Sequence, residues 1–154
     1  MNYDKKMIIH FAEFIVVFII FILPPMLCTE APALPAKPES LPQYFFLIVK
    51  VILFAAYEEA LYRLYLPFRL KTLLKKSAIT SYFFITEFMP AVFFACAHLY
   101  LGTANAVYAF AAGGFFRVVY VFFKTKYGIW AAFCLIVFIH TVHNLISIFI
   151  RYQP

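Results

Sequence analysis

Tyr57-Glu58-Glu59-Ala60-Leu61-Tyr62-Arg63 lies near the end of an apolar run that extends from about Gln43 to Leu66. As a helix, a run of about 20 such residues crosses a hydrocarbon core of roughly 30 Å. The three charges inside it decide how it is read. A charge at membrane depth costs about 2.5–3.5 kcal/mol or more, so it pairs with a partner or serves a function. Further apolar runs flank this one. They extend from about Met7 to Leu23, ending at Pro24-Pro25, then Ile79 to Leu101, Ala104 to Phe123, and Tyr127 to Ile150. Lipid offers no partner to an open backbone, so each run is expected as a helix. The fold predicted is all-α, a polytopic membrane helix bundle of about five transmembrane helices.

Composition agrees. The 154 residues are 66% hydrophobic and 21% aromatic, against about 45–50% apolar in a soluble domain. A single membrane domain over residues 1–154 is expected. It comprises a first helix (1–28), a Pro-rich polar loop (29–43) and a four-helix core (44–150) that carries every embedded polar cluster. The net charge of +6 does not point to nucleic acid. Its lysines and arginines fall in short segments between apolar runs, where they set topology. Lys5 and Lys6 precede the first run. Lys37 in the next segment is offset by Glu30 and Glu39. Arg69, Lys71, Lys75 and Lys76 follow the second run, Lys124 and Lys126 the fourth, and Arg151 the fifth. The alternation places the N-terminus in the cytoplasm. The first run is read as an uncleaved helix rather than a signal peptide, with a signal anchor as the alternative. Cys28, Cys96 and Cys134 form no motif; the last two are expected as small core residues.

Two more polar clusters accompany the first. One is Phe94-Ala95-Cys96-Ala97-His98 and the other His140-Thr141-Val142-His143-Asn144. On an α-helix, residues four apart share a face. Glu59 and Arg63 can therefore pair, while Glu58 turns toward a different face and is free to look into a cavity. A plainer alternative is one ion-pair network that holds helices together. His140 and Asn144 share a face; His143 points elsewhere. A carboxylate and an imidazole that share one water can deprotonate it for attack on a carbonyl. An imidazole and an amide opposite can stabilise the resulting oxyanion, or serve only as interhelical glue. Glu58, His98 and His140 are also zinc-ligand types, but no H-E-x-x-H occurs. No cofactor is expected, with a divalent metal such as zinc as the alternative.

These clusters resemble the glutamate-type intramembrane proteases of the CAAX-protease and bacteriocin-processing family. That family carries E-E-x-x-x-R, then F-x-x-x-H, then H-x-x-x-N or H-x-x-x-D. Here the matching residues are Glu58-Glu59 with Arg63, Phe94 with His98, and His140 with Asn144, in order and on separate apolar runs. The approach to the last motif, from Tyr120 to Asn144, is also similar. The resemblance implies that Glu58 and His98 activate water, that Glu59 and Arg63 form a supporting pair, and that His140 and Asn144 form the oxyanion site. It implies an integral membrane endopeptidase acting on a membrane-embedded peptide or lipidated protein, in a prokaryotic plasma membrane. Family members usually have seven or eight helices, so the substrate cavity is expected to be either open on one side or completed by a second copy or a partner membrane subunit. A non-catalytic scaffold or bacteriocin self-immunity protein is the alternative. A transporter subunit relaying protons through Glu58, Glu87 and the histidines ranks below both.

Outside the motifs, Glu87 and Arg117 are expected to pair, with Glu87 lining a substrate path as the alternative. His10 and Glu13 are expected to pair near the start of the first helix. Gly113-Gly114 is read as a site of close helix packing, and Lys50 as a snorkelling or partner-facing residue.

Overall fold

The computed structural model describes residues 3–27, 35–74 and 82–152. Among them there are helices and turns and no strand, so the all-α expectation holds. Cys28, Glu30, Lys75, Lys76 and the start of the third run at Ile79 lie outside the described residues. The helices are α1 (Tyr3–Val17), α2 (Leu23–Leu27), α3 (Leu41–Glu59), α4 (Leu66–Leu74), α5 (Tyr82–Cys96), α6 (Thr103–Tyr127) and α7 (Ile129–Arg151). The span Met7–Leu27, α6 and α7 are long and apolar enough to cross a membrane; Phe84–Cys96 is a shorter apolar helix. Phenylalanines and isoleucines are exposed all along them, as expected of surface that meets lipid.

Two expected boundaries were wrong for one reason. The first run does not stop at Pro24-Pro25, and the second does not stop at Leu66. In each, a wide π-type turn intervenes and the helix continues: Phe18–Ile22 leads into α2, and Ala60–Tyr65 leads into α4. Both turns end one residue before a Leu-Pro pair, Leu23-Pro24 and Leu66-Pro67. A proline has no N–H for the carbonyl four residues back, and its ring clashes there. Widening the preceding turn is a known way to absorb that clash without ending the helix. As a result Arg69 and Lys71, read from sequence as loop charges, stand on α4.

Helix ends follow simpler rules. Gly102 (φ +96) precedes α6 and Gly128 (φ +87) is the single residue between α6 and α7. Only glycine adopts such angles without strain. Lys124 and Lys126, also expected in a loop, occupy the last turn of α6, where cations complement the helix dipole. The third run ends earlier than expected: α5 closes at Cys96, a turn follows, and Leu99–Leu101 form a short 3₁₀ helix.

The chain divides into two units, Met1–Ala31 with Tyr62–Arg117, and Pro32–Leu61 with Val118–Pro154. In the first, α4 packs on α1 and α5. Phe18 meets Phe93 edge-on at 5.8 Å. Glu13 and His10 do approach each other, at 3.4 Å. Their main partner is one the sequence did not suggest: Arg69 on α4 reaches Glu13 Oε2 at 2.5 Å and His10 Nδ1 at 2.6 Å. Gly113 lets α6 approach α5, since a Cβ there would sit 3.2 Å from Phe94 Cδ1, whereas Gly114 faces open space. In the second unit α3 packs on α7. Tyr152 Oη donates to the Pro35 carbonyl at 2.8 Å, tying the end of α7 to the segment before α3. Cys96 is half-buried and Cys134 exposed, so Cys134 is not the core residue expected. It lies off the buried ridge of α7.

Candidate active site

The motif residues of the second unit arise from two ridges. On α3 the buried residues are Leu47, Val51, Ala55 and Glu59; on α7 they include Ala132, Ile136 and His140. Each series advances by four, the row that interdigitates when helices pack ridge into groove. The helices are antiparallel: Tyr44, early in α3, stacks on Phe149, late in α7, at 6.3 Å, while Glu59 at the end of α3 meets His140. Two apolar ridges thus end in one polar pair. Between helices in lipid, apolar contact supplies little driving force and a polar bond adds about 0.6–2 kcal/mol, so this pair also sets the register.

His140 has a carboxylate beside each nitrogen of its ring. Nδ1 lies 2.8 Å from Glu59 Oε1, with 1% of the Glu59 side chain exposed and 5% of His140. Nε2 lies 3.5 Å from Glu58 Oε2. A carboxylate only accepts, so Nδ1 carries a proton toward Glu59 and Nε2 is the nitrogen that faces Glu58. Helical spacing pointed to Arg63 as the partner of Glu59 and did not point to this one on α7, 81 residues away. Asn144 Oδ1 accepts from His143 Nδ1 at 3.2 Å. His143, set aside as the weaker histidine, is therefore the group that orients Asn144.

The motif residues of the first unit are Arg63 and His98. Arg63 is buried, with its guanidinium 5.5 Å from the Phe94 ring centre and 6.0 Å from that of Phe116. Tyr62 meets Phe94 edge-on at 5.1 Å. His98 does not sit on a helix, as expected, but two residues beyond α5. Its backbone N–H turns back to Ala95 rather than to Phe94, 2.9 Å. The Phe94 carbonyl so released is taken by the His98 ring, whose Nδ1 donates to it at 2.7 Å. The side chain replaces the amide of its own residue. In neutral imidazole this fixes the tautomer: Nδ1 holds the proton and Nε2 is left as a base or ligand. The ring also packs on Phe94, centroids 4.4 Å apart. F-x-x-x-H spacing is thus explained locally, because residue i carries both the carbonyl and the ring that hold histidine i+4.

Glu87 and Arg117 pair, as expected, with Nε donating to Oε2 at 2.7 Å. Lys71, unexpected here, binds the other oxygen at 2.7 Å. An open groove of about 470 Å³ is lined by Pro35–Glu39, Gln43, Phe46, Leu47 and Lys50. It holds no motif residue, and Glu58 lies roughly 22 Å further along α3 from Gln43 at 1.5 Å per residue. Lys50 borders this groove on an exposed face.

For zinc, the donor set fits in part. Glu58 and His140 Nε2 converge, and a carboxylate on the opposite ring nitrogen is the usual support for a metal-bound histidine. The third ligand type, His98, belongs to the other unit. Among the described residues there is no group of three or more such side chains arranged to hold a metal.

Ionisable side chains set in apolar membrane helices are by default candidates for a functional site. Residues 40–146, more than half of the chain, match the family model of the Rce1-like type II CAAX prenyl endopeptidases, and the chain belongs to that family. It is an integral membrane protein of a protease family. No curated protein and no solved structure matches it significantly.

Proposed function

We propose that this chain is an intramembrane endopeptidase that hydrolyses a peptide bond of a membrane-embedded peptide or lipidated protein. Glu58 takes the proton of the attacking water, and His98 keeps the helper role that the family resemblance implies for it. His140, held through Nδ1 by Glu59, acts in its doubly protonated form, whose Nε2–H donates to the oxyanion as water adds to the carbonyl. Asn144, one turn along α7 from His140, supplies an amide donor oriented by His143. Arg63 supports the first motif from its place between two aromatic rings. The observation that carries this reading is the array at His140: one ring, with Glu59 at 2.8 Å and Glu58 at 3.5 Å on opposite nitrogens. Packing alone needs one such contact; the second is the contact a general base would make, which supports the reading.

The test uses purified protein in liposomes, with prenylated and unprenylated peptides as substrates. Cleavage by the wild type and its loss in Glu58→Gln, with the helical fold retained, supports the reading. Full cleavage by Glu58→Gln would refute it. A second reading, in which Glu58 and His140 contribute to holding a divalent metal that would polarise the carbonyl or the water, is favoured by the support Glu59 gives His140. Dialysis against a chelator, with metal content measured alongside activity, separates the two. Unchanged cleavage by metal-free protein favours the first.

A further inference from the structure

Arg117 does more than neutralise Glu87. Its Nη1 donates to the backbone carbonyl of Arg63 at 3.0 Å. Arg63 is four residues before Pro67, so this is the carbonyl that a regular helix would bond to the amide of residue 67, and Pro67 has no amide N–H. The guanidinium stands in for the missing N–H. It is aimed by Glu87, which accepts from Nε at 2.7 Å and pairs with Nη2, and Glu87 is itself held by Lys71 at 2.7 Å. Arg117 is 9% exposed, and a carbonyl at this depth has little water to turn to. The carbonyl belongs to the wide turn Ala60–Tyr65, which begins directly after Glu59 and carries the Arg63 side chain.

We infer that Arg117, aimed by Glu87 and Lys71, is a positioning residue that holds the wide turn of residues 60–65 by donating to the Arg63 carbonyl, whose α-helical donor position Pro67 occupies. The fork geometry matters. Nε and Nη2 serve the carboxylate while Nη1 serves the carbonyl, and a lysine ammonium, a single point charge, does not bridge both. The role for catalysis rests on the proteolytic reading above; the backbone role does not.

The experiment is hydrogen–deuterium exchange of the full chain in detergent micelles, read on peptides covering residues 60–74. Arg117→Lys keeps the charge pair with Glu87 and is the main variant; Arg117→Met removes both roles. Each is expected to speed exchange in this segment roughly tenfold to a hundredfold, the loss of one charge-assisted bond. Adding Pro67→Ala to either returns an amide to the Arg63 carbonyl and is expected to restore exchange to within about threefold of wild type. Wild-type exchange in Arg117→Lys would show that only the charge pair matters and overturn the inference. So would a Pro67→Ala addition that restores nothing. Cleavage is measured in parallel, with kcat expected to fall and KM to hold in Arg117→Lys. If exchange behaves as stated and no protein cleaves, the cap stands and the proteolytic reading fails. If the wild type cleaves and exchange does not move, the cap alone fails.

Discussion

The chain embeds carboxylates in apolar helices in two places and surrounds them differently. Glu58 and Glu59 address the two nitrogens of one imidazole, His140, at 3.5 and 2.8 Å. Glu87 addresses an ammonium, Lys71, and a guanidinium, Arg117. An imidazole gains and loses a proton near neutral pH, whereas a guanidinium does not. Under the proposed function the first arrangement moves a proton, whereas the second fixes a charge in place. The same residue type in an apolar helix then takes one role or the other according to its partner.

The contrast predicts opposite outcomes for equivalent substitutions. Glu58→Gln keeps shape and removes the base; cleavage is expected to fall by about 10²–10⁴-fold with little change in the unfolding midpoint. Glu59→Gln still offers an oxygen to His140 Nδ1 but not a charge, and a loss of about 10–100-fold is expected, as for other groups that orient a reacting histidine. If Glu59→Gln proved as damaging as Glu58→Gln, the two acids would not have the distinct roles assigned here. Initial rates on one prenylated peptide, with circular dichroism as the control for folding, decide this.

Glu87→Gln should reverse the pattern. It leaves Lys71 and Arg117 without their shared counter-charge. Breaking a fully buried pair costs about 3–5 kcal/mol. With 19% of the Glu87 side chain and 45% of Lys71 exposed, about 2–3 kcal/mol is expected, read from unfolding in detergent. The double exchange Glu87→Arg with Arg117→Glu should rescue only part of it. It sets an arginine against Lys71 and turns a carboxylate toward the Arg63 carbonyl. Full rescue would mean that the pair is purely electrostatic and that neither neighbour matters.

How far the sequence reached depends on whether the determining contact was local. The five apolar runs, the three motifs and the Glu87–Arg117 pair were all visible, because hydropathy and buried charge are written residue by residue. The His140–Glu59 bond was not, since it joins residues 81 apart and the nearer candidate, Arg63, satisfied a helical rule. Pro24-Pro25 reads as a stop and the second run as ending at Leu66, although a proline in a continuous apolar run can instead widen the turn before it. His98 shows the reverse case. Its placement past the end of α5 was missed, yet the F-x-x-x-H spacing that identified it is the spacing its ring needs to reach the Phe94 carbonyl.

The smallest effect tests how tightly the fixed region is built. Phe94 packs on His98 and lies beneath the Arg63 guanidinium, and Gly113 is the residue that gives it room. Replacing glycine by alanine inside a helix is worth about 1 kcal/mol in favour of the helix. Gly114→Ala, with nothing within 4 Å of the new Cβ, should show most of that gain. Gly113→Ala places its Cβ 3.2 Å from the Phe94 ring, and overpacking costs about 1–3 kcal/mol, so it should fall below Gly114→Ala in stability by about 1 kcal/mol or more. Because the ring that must move also holds His98, Gly113→Ala should slow cleavage several-fold and Gly114→Ala should not. Equal stability for the two variants would mean that Phe94 shifts freely, and a ring that shifts freely does not fix the His98 imidazole.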